Sequence, residues 1–427
     1  MIATANTAKP LSLWRGLAAL AATLFLTTVL SACGQATPPN NNSPLHIATK
    51  NKIERGQYLA KAGNCATCHT RVGQAEFSGG RSIPTPFGEV ISSNITSDTT
   101  TGLGNWSDDD FWQALHHGKS RNGRSLYPAF PYPSYSLITR DDSDALFAYL
   151  QTIPAVEHTP PAHQLRFPYS SQLALNIWRA LYFEPQLYIA DESQSDTWNR
   201  GAYLVKGLGH CSACHTPRGI LGNSDSARSL AGADIEALGW HAPAIATGEL
   251  STGQQEELVK LLKAGINKRD VMSGPMAEVV AHSLQHLKNS DLSAMVEYLS
   301  TLPAKSHPST TVVLKTQKQD QEPFPLGATL YEEHCSDCHG KNGLGEPYRF
   351  PALAGNRAVM AASANNAIRS VMLGGYGAST ADRPRPFGMP AFAHLFSDQE
   401  AAAVINYIRN AWGNQAPAVR TNDVRQR

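Results

Sequence analysis

Three segments of the chain share one pattern of apolar positions, and each of them predicts an α-helix. Apolar residues recur at positions i, i+3, i+4 and i+7 in each segment, which is the spacing of one helical face. Tyrosine stands at the second position every time. The three sets are Leu146/Tyr149/Leu150/Ile153, Met295/Tyr298/Leu299/Leu302 and Val404/Tyr407/Ile408/Ala411. The repetition indicates three copies of one structural unit, each closing with a core helix.

Polar residues and helix breakers mark the ends of these helices. Thr139 with Asp142, and Ser397 with Glu400, have the spacing of capping boxes at helix starts. Proline or glycine follows each apolar set and predicts the end of the helix. These predicted stops are Pro154, Pro303 and Gly413. A further helix is predicted to begin near Ser107, and a short apolar run at 173–183 is expected to pack between the first two units.

The composition is that of a folded, globular chain. At roughly 100–200 residues per domain, 427 residues predict two to four domains. The chain is 42% hydrophobic and 17% charged, with a formal net charge of +1. Because there is no basic excess, we expect no nucleic-acid partner.

Six of the seven cysteines form three C-x-x-C pairs, and histidine directly follows each pair. The three motifs are Cys65/Cys68/His69, Cys211/Cys214/His215 and Cys335/Cys338/His339. A related segment precedes each motif, and the third copy is the most divergent. These segments are Arg55-Gly-Gln-Tyr58, Arg200-Gly-Ala-Tyr203 and Gly327-Ala-Thr-Leu-Tyr331.

The C-x-x-C-H motif is typical of c-type haem attachment. Two thiols on one helical turn can bond the two vinyl groups on one edge of the porphyrin, and the adjacent histidine becomes the proximal iron ligand. A zinc site needs four ligands, usually from two such pairs close together, whereas each pair here stands alone. A structural disulfide would not require histidine at the same offset each time. The sequence therefore predicts three covalent haem c groups.

Two methionines are candidates for the sixth iron ligand. Met276 lies in Gly274-Pro-Met276, and Met389 lies in Phe387-Gly-Met-Pro390. Both are expected in Pro/Gly loops shortly before a closing helix, where methionine sulfur would raise the haem potential. Core packing is the alternative role for a methionine. We predict ligand pairs of His215 with Met276 and of His339 with Met389.

The first unit departs from this pattern because it contains no methionine. Met276 lies 61 residues after His215, and the same step from His69 reaches Phe130. Phenylalanine cannot bind iron. The first haem is therefore expected to be five-coordinate or to use another group.

His116 and His117 are the nearest alternative ligands by sequence. They end the helix that is predicted to begin near Ser107. The competing interpretation, which we favour, is that one of them caps the helix end and both are solvated.

The N-terminus has the features of a secretory signal. Lys9 and Arg15 precede an apolar run from Leu17 to Leu30, which is shorter than the roughly 20 residues of a membrane-spanning helix. The run leads into Leu-Ser-Ala-Cys, which ends at Cys33 and resembles the lipobox of bacterial lipoproteins. On this interpretation Cys33 becomes the lipidated first residue of the mature chain. Ordinary cleavage near Ala32, leaving a free thiol, is the alternative.

These patterns divide the chain into a lipoprotein-type signal peptide, a flexible tether, three haem-binding units with two connecting segments, and a tail. The predicted boundaries are 1–32, 33–49, 50–155, 156–195, 196–303, 304–322, 323–414 and 415–427.

With these residues assembled, the chain resembles the triheme cytochrome c subunits of bacterial membrane-bound dehydrogenases. Further shared segments are Pro86-Phe-Gly88, Asn94-Ile-Thr96, Trp106-Ser-Asp-Asp-Asp-Phe111, Leu126-Tyr-Pro-Ala129, Asn199-Arg-Gly-Ala-Tyr203, Ser273-Gly-Pro-Met-Ala-Glu-Val-Val280 and Trp412-Gly-Asn414. The resemblance implies a mainly α fold of three tandem class I cytochrome c domains, each wrapped around a covalent haem.

The resemblance also implies a function. Cytochromes of this family serve alcohol, gluconate, sorbitol and aldehyde dehydrogenases, and related ones serve molybdenum hydroxylases. They accept electrons from a separate catalytic subunit and pass them to ubiquinone or onward to an oxidase. Phenylalanine at position 130 modestly favours a molybdenum-enzyme partner. We expect an electron-transfer subunit on the periplasmic side of a bacterial membrane, anchored by lipid at Cys33.

The alternative function is a haem enzyme of the peroxidase kind that uses an open first haem. Phe130 argues against it, because an apolar ring supplies none of the polar donors that peroxide cleavage needs. The sequence also contains no nucleotide-binding glycine motif, hydrolytic triad or flavin fingerprint. Electron transfer is therefore the favoured hypothesis.

Overall fold

A computed structural model of the protein describes residues 44–304 and 324–426. The predicted signal peptide, Cys33 and most of the 304–322 linker lie outside the described residues. Helices make up most of the regular structure and the strands are short, which confirms the mainly α fold class. From Lys52 onward the described residues form one compact unit. No helix in the described ranges is both long enough and apolar enough to cross a membrane.

The first unit has five helices and a small sheet, followed by one connecting helix. In chain order the elements are α1 (Pro44–Ala62), α2 (Cys65–His69), β1 (Ser82–Thr85), β2 (Gly88–Ile91), α3 (Asp108–His117), α4 (Tyr132–Tyr135), α5 (Arg140–Leu150), β3 (Gln164–Leu165) and α6 (Gln172–Tyr182). The strands pair antiparallel in the order β1-β2-β3, with Ser82 opposite Ile91 and Gly88 opposite Leu165. Helix α1 begins at Pro44, inside the segment predicted to be a flexible tether.

The second unit repeats the order of a long helix, a motif helix and a closing helix. Its elements are α7 (Asp196–Lys206), α8 (Ser212–His215), β4 (Ala233–Ile235), β5 (Trp240–Ala242), α9 (Thr252–Ala264), α10 (Pro275–His282) and α11 (Asn289–Thr301), with 3-10 turns at Ser226–Arg228, Glu236–Leu238 and Leu284–His286. Strands β4 and β5 pair antiparallel.

The third unit follows the same plan. Its elements are α12 (Pro325–His334), α13 (Ser336–His339), α14 (Arg357–Met360), α15 (Asn365–Leu373), β6 (Gly375–Tyr376), β7 (Gly388–Met389), α16 (Asp398–Asn410) and α17 (Thr421–Arg425). Each unit surrounds its own cluster of buried apolar residues, and the predicted stripe of each closing helix contributes to that cluster.

The predicted helix caps are present, but one of them is incomplete. At the start of α16, Ser397 and Glu400 form a full capping box. At the start of α5, the Thr139 side chain accepts a hydrogen bond from the Asp142 backbone N–H. The Asp142 carboxylate accepts no hydrogen bond from the Thr139 backbone N–H, because Arg55 and Tyr203 bind it instead.

A glycine lets the first and last helices of every unit cross at close range. A Cβ added to Gly56 would lie 1.8 Å from the carbonyl oxygen of Ala145. The corresponding distances are 1.9 Å from Gly201 to Ala294 and 2.2 Å from Gly327 to Ala403. Only glycine permits this approach of two backbones. The three contacts also define which residues of the units correspond.

Two segments that the sequence predicts as connecting regions pack onto the first unit. His158 and His163 bond backbone groups of Ser78 and Ile91, and β3 extends the sheet, so residues 156–165 belong to this unit. Helix α6 contacts both units, since Arg179 donates to the His117 carbonyl and the Trp178 indole to that of Leu221. It does not fill the space between them, because its face of Leu173, Ile177 and Leu181 is exposed.

The C-terminal residues are part of the third core, so the prediction of a tail after residue 414 is wrong. Val419 and Val424 are buried in the third apolar cluster. Arg409 is fully buried and donates to the carbonyl of Pro417 from this segment. Its other guanidinium bonds go to the carbonyls of Val359 and Ala361. These contacts satisfy a buried cation with backbone dipoles, as burial requires.

Candidate haem-attachment sites

The three C-x-x-C-H motifs each form a single helical turn directly after a long helix. The turns are α2, α8 and α13, and each ends at the motif histidine. In the first two, the residue before the motif has a positive φ, 51° at Asn64 and 37° at His210. This sharp change of direction folds the motif back beside the preceding helix. None of the six motif cysteines forms a disulfide.

The two cysteines of the third motif differ in exposure. Cys335 is buried in the third apolar cluster, and burial chiefly raises the pKa of its thiol to about 11. Cys338, by contrast, is exposed. The physical reason is position, because Cys335 directly follows the packed helix α12 whereas Cys338 lies nearly one turn further on, outside the cluster.

The second motif shows the same asymmetry between its thiols. Cys211 is half-buried and packs against the second apolar cluster, whereas Cys214 is exposed. In both motifs the first cysteine belongs to or packs against the apolar cluster, and the second lies outside it.

Each motif histidine forms a hydrogen bond between its Nδ1 atom and a backbone carbonyl. His69 Nδ1 lies 2.7 Å from the carbonyl oxygen of Ser93. The same bond joins His215 to Pro243 at 2.7 Å and His339 to Pro351 at 3.0 Å. A carbonyl can only accept, so Nδ1 carries the proton and Nε2 keeps the lone pair that a metal needs.

Burial reinforces this state of the imidazoles. It lowers the pKa of His69, His215 and His339, and the carbonyl hydrogen bonds offset only part of that effect. The neutral form is therefore favoured at all three positions, which is the form that binds iron. The residues present thus fit a haem iron at each motif.

Each motif and its predicted distal residue border the same apolar cluster. Cys65 and Phe130 both pack against the first cluster, Cys211 and Met276 both pack against the second, and Met389 packs against the third, which contains Cys335. The register that places Phe130 where the second unit has Met276 stays a prediction. Phe130 is half-buried and its ring centre lies 5.3 Å from that of Tyr135.

Both methionines lie in regular structure, in contrast to the predicted Pro/Gly loops. Met276 is in the first turn of α10, directly after Gly274 (φ 56°) and Pro275. Met389 is on β7, opposite Gly375 of β6. Backbone hydrogen bonds therefore fix the position from which each sulfur extends.

The expectation that His116 and His117 are solvated is wrong for His116. Its side chain is buried, its ring stacks on Trp112 at 4.4 Å, and its Nδ1 atom has no hydrogen-bond partner. Burial, and after it His117, lowers the pKa of His116. The helix is capped by Gly118 in the left-handed conformation, and neither histidine forms the cap.

Two arginines donate hydrogen bonds to backbone carbonyls inside the motifs, and no sequence pattern predicts this role. Arg81 Nη1 donates to the carbonyl of Thr67, inside the first motif, at 2.8 Å. Arg218 Nη2 donates to the carbonyl of Ala213, at the same place in the second motif, at 2.8 Å. The two arginines stand at different distances after their motifs. A comparison of the repeats therefore could not have paired them.

The motifs of the first two units lie close together. Burial chiefly raises the pKa of the Cys68 thiol, and Cys214 of the second motif raises it further, while Arg81 lowers it. Arg81 also reaches across to Glu278 of α10, at 2.8 Å. In the described residues no group of three or more His, Cys, Asp or Glu side chains could hold a metal ion by itself.

Comparison with known proteins identifies the family. The cytochrome c family model matches residues 53–154 and 325–412. The fructose dehydrogenase cytochrome subunit of Gluconobacter japonicus is 35% identical over 94% of this chain and 88% of its own length. The gluconate 2-dehydrogenase cytochrome c subunit of Pantoea cypripedii is 36% identical, covering 86% of this chain and 87% of its own.

A third relative, a nicotinate dehydrogenase subunit of Pseudomonas putida, is 39% identical over 86% of this chain but only 31% of its own length. The long, nearly complete matches to the first two relatives decide the assignment. The chain belongs to the family of cytochrome c subunits of dehydrogenases, whose cofactor is covalently bound haem c.

Proposed function

We propose that the protein is a triheme electron-transfer subunit that accepts electrons from a catalytic dehydrogenase and passes them to ubiquinone or another respiratory acceptor. The observation that carries the proposal is the common histidine geometry. All three C-x-x-C-H helices present an imidazole whose Nδ1 is bound to a carbonyl and whose Nε2 is free to bind iron. Haem iron supplies one-electron exchange, and axial ligands set its potential.

Each residue has a role in this proposal. The cysteine pairs Cys65/Cys68, Cys211/Cys214 and Cys335/Cys338 anchor the haems, and His69, His215 and His339 orient the proximal faces. Met276 and Met389 close the distal faces of the second and third sites. Phe130 occupies the distal side of the first site with an apolar ring, which supports a potential below those of the other two haems.

The number of haems tests the proposal directly. The purified chain should carry three haem masses and keep its colour after denaturation. Changing one pair to serine, such as Cys211→Ser/Cys214→Ser, should remove one haem mass and leave two. The matched pairs in the other motifs should behave alike. One or two haems in the wild type would refute the triheme assignment.

Relatives named as subunits of fructose, gluconate and nicotinate dehydrogenases support a partner that oxidises a small organic substrate. Sugars, alcohols, aldehydes and substrates of molybdenum hydroxylases remain within that class. Co-purification with a large catalytic subunit from the native membrane, identified by mass spectrometry, would establish it. Recovery of the cytochrome without any such subunit would contradict the partnership.

We also propose lipid attachment at Cys33, on the periplasmic side of the membrane. The support is the Leu-Ser-Ala-Cys sequence after a short apolar run. Stable anchoring needs more than one acyl chain, because a single chain binds a membrane only marginally. Cys33→Ser should therefore release the mature cytochrome into the soluble fraction or block its maturation. Unchanged processing and membrane attachment would count against the anchor.

A further inference from the structure

The first two units touch through a reciprocal pair of tyrosine–aspartate contacts. Tyr203 of the second unit donates its hydroxyl to Asp142 Oδ2 of the first, at 2.6 Å. Tyr58 of the first unit donates its hydroxyl to Asp291 Oδ2 of the second, also at 2.6 Å. Each tyrosine thus belongs to one unit and binds an aspartate on the closing helix of the other.

Each hydroxyl also accepts a hydrogen bond from the backbone at that helix start. The Thr139 N–H donates to Tyr203 at 3.1 Å, and the Lys288 N–H donates to Tyr58 at 3.2 Å. Burial, and then the bond to the aspartate, raises the pKa of Tyr58 to about 12. The phenol therefore keeps its proton and acts as a donor to the carboxylate.

An arginine from its own unit binds each aspartate. Arg55 Nε lies 2.8 Å from Asp142 Oδ1. Arg200 lies 3.0 Å from Asp291 Oδ1 through Nε and 2.8 Å from Oδ2 through Nη2. Only 2% of Asp142 and 8% of Asp291 is exposed. A buried carboxylate is stable only when its oxygens are paired, so the tyrosine from the other unit completes each site.

The two contacts are equivalent by the internal repeat. The helix crossings match Gly56 with Gly201 and Ala145 with Ala294. In both units arginine directly precedes the glycine, tyrosine follows two residues after it, and aspartate lies three residues before the alanine. The same patch of each unit therefore binds the same patch of the other, which is the arrangement of a twofold symmetric dimer.

The third unit lacks all three side chains. Relative to Gly327 and Ala403, Leu326 replaces the arginine, Thr329 the tyrosine and Glu400 the aspartate. Glu400 caps its own helix, accepting from Ser397. The third unit therefore cannot form this contact, which distinguishes the first two units as a pair.

The paired surface carries two of the haem-attachment motifs. Tyr135 Oη donates to the Gly63 carbonyl, two residues before Cys65, at 3.2 Å. The Tyr135 ring centre lies 5.7 Å from that of His210, which directly precedes Cys211. Any change in how the two units meet would therefore move the motifs relative to each other.

We propose that Tyr58 and Tyr203 are positioning residues that hold the first two haem-attachment motifs at a fixed separation, as a reciprocal clasp. This inference rests on the proposed function, because it concerns haems at these motifs. Electron exchange between two such haems oxidises one iron and reduces the other by one electron. The clasp constrains the separation of the two motifs through two equivalent contacts.

Hydrogen exchange of the holoprotein tests the clasp. Tyr58→Phe should accelerate exchange at the Lys288 amide by about tenfold or more, and Tyr203→Phe should do so at the Thr139 amide. Each change removes the hydroxyl that accepts a hydrogen bond from the amide. It also leaves a buried carboxylate without one of its donors. Pulsed electron paramagnetic resonance then measures the iron-to-iron distances. The double variant should broaden the distance distribution between the first two haems and leave the distance between the second and third haems unchanged in width.

Tyr331→Phe is the matched control, since its hydroxyl donates to the Gly340 carbonyl within the third unit. It should change neither the two amides nor the distance distribution. The clasp is refuted if the double variant gives the same exchange and the same narrow distribution as this control. A haem count below three with intact amide protection would instead refute the triheme function and leave the interface contact in place.

Discussion

At the residue scale, the first site is predicted to differ from the other two in its distal side chain. Phe130 and Cys65 pack against one apolar cluster, and Met276 and Cys211 pack against another. Replacing a thioether by an apolar ring removes the ligand that stabilises ferrous iron. The local backbone differs as well, since Phe130 precedes the short helix α4 whereas Met276 lies in the first turn of α10.

Phe130→Met should raise one of three haem potentials. We expect a shift on the order of 0.1 V, a fraction of the roughly 0.8 V range that axial ligands span. The new sulfur should also suppress carbon monoxide binding at that haem. Potentiometric titration with visible spectroscopy measures both effects. Met276→Ala is the converse control and should lower a different potential. Three His/Met spectra in the wild type would show that the 61-residue register is wrong.

At the element scale, every unit depends on the crossing of its first and last helices at a glycine. The sequence predicts the closing helices through their apolar period and the motifs through their cysteine spacing, since both signals are local. It does not predict the Tyr58–Asp291 bond, whose partners lie 233 residues apart. Nor does it predict that Thr139 and Asp142 form half a capping box, because the residues that occupy the carboxylate come from elsewhere.

Gly201→Ala should destabilise the second unit by about 3 kcal/mol or more, because the added methyl would lie 1.9 Å from the Ala294 carbonyl oxygen and would push two helix backbones apart. Chemical denaturation followed by haem absorbance measures the loss. Gly253→Ala in α9 is the control, since nothing lies within 4 Å of a Cβ built there. It should be neutral or stabilise by up to about 1 kcal/mol. Equal stability of the two variants would show that the crossing tolerates a side chain.

At the scale of the whole molecule, the third unit attaches to the second without the symmetry of the first pair. Arg269 of the second unit forms two of these contacts. Its Nη2 donates to the Ala354 carbonyl at 2.6 Å, and its own carbonyl accepts from the Ala352 N–H at 2.8 Å. Nearby, the Tyr348 N–H donates to the Asn267 carbonyl. One loop of each unit therefore meets a different loop of the other, which is a heterologous interface.

A substitution at one of these two interfaces should leave the other interface intact. Arg269→Ala removes a charged donor from a carbonyl and should weaken the docking of the third unit by about 1.5–3 kcal/mol. Hydrogen exchange should accelerate at Ala352 while the clasp amides of Thr139 and Lys288 keep their protection. The neighbouring Lys268 is the control, because its side chain is 61% exposed and lies 3.6 Å from Glu257.

Lys268→Ala should therefore cost about 0.5 kcal/mol or less, as exposed ion pairs do. Simultaneous loss of protection at Ala352 and at the clasp amides in Arg269→Ala would mean that the three units open as one cooperative body. Loss confined to Ala352 follows from the structure, because no clasp residue contributes to the Arg269 contacts. The symmetric pair would then stay closed while the third unit moves on its own.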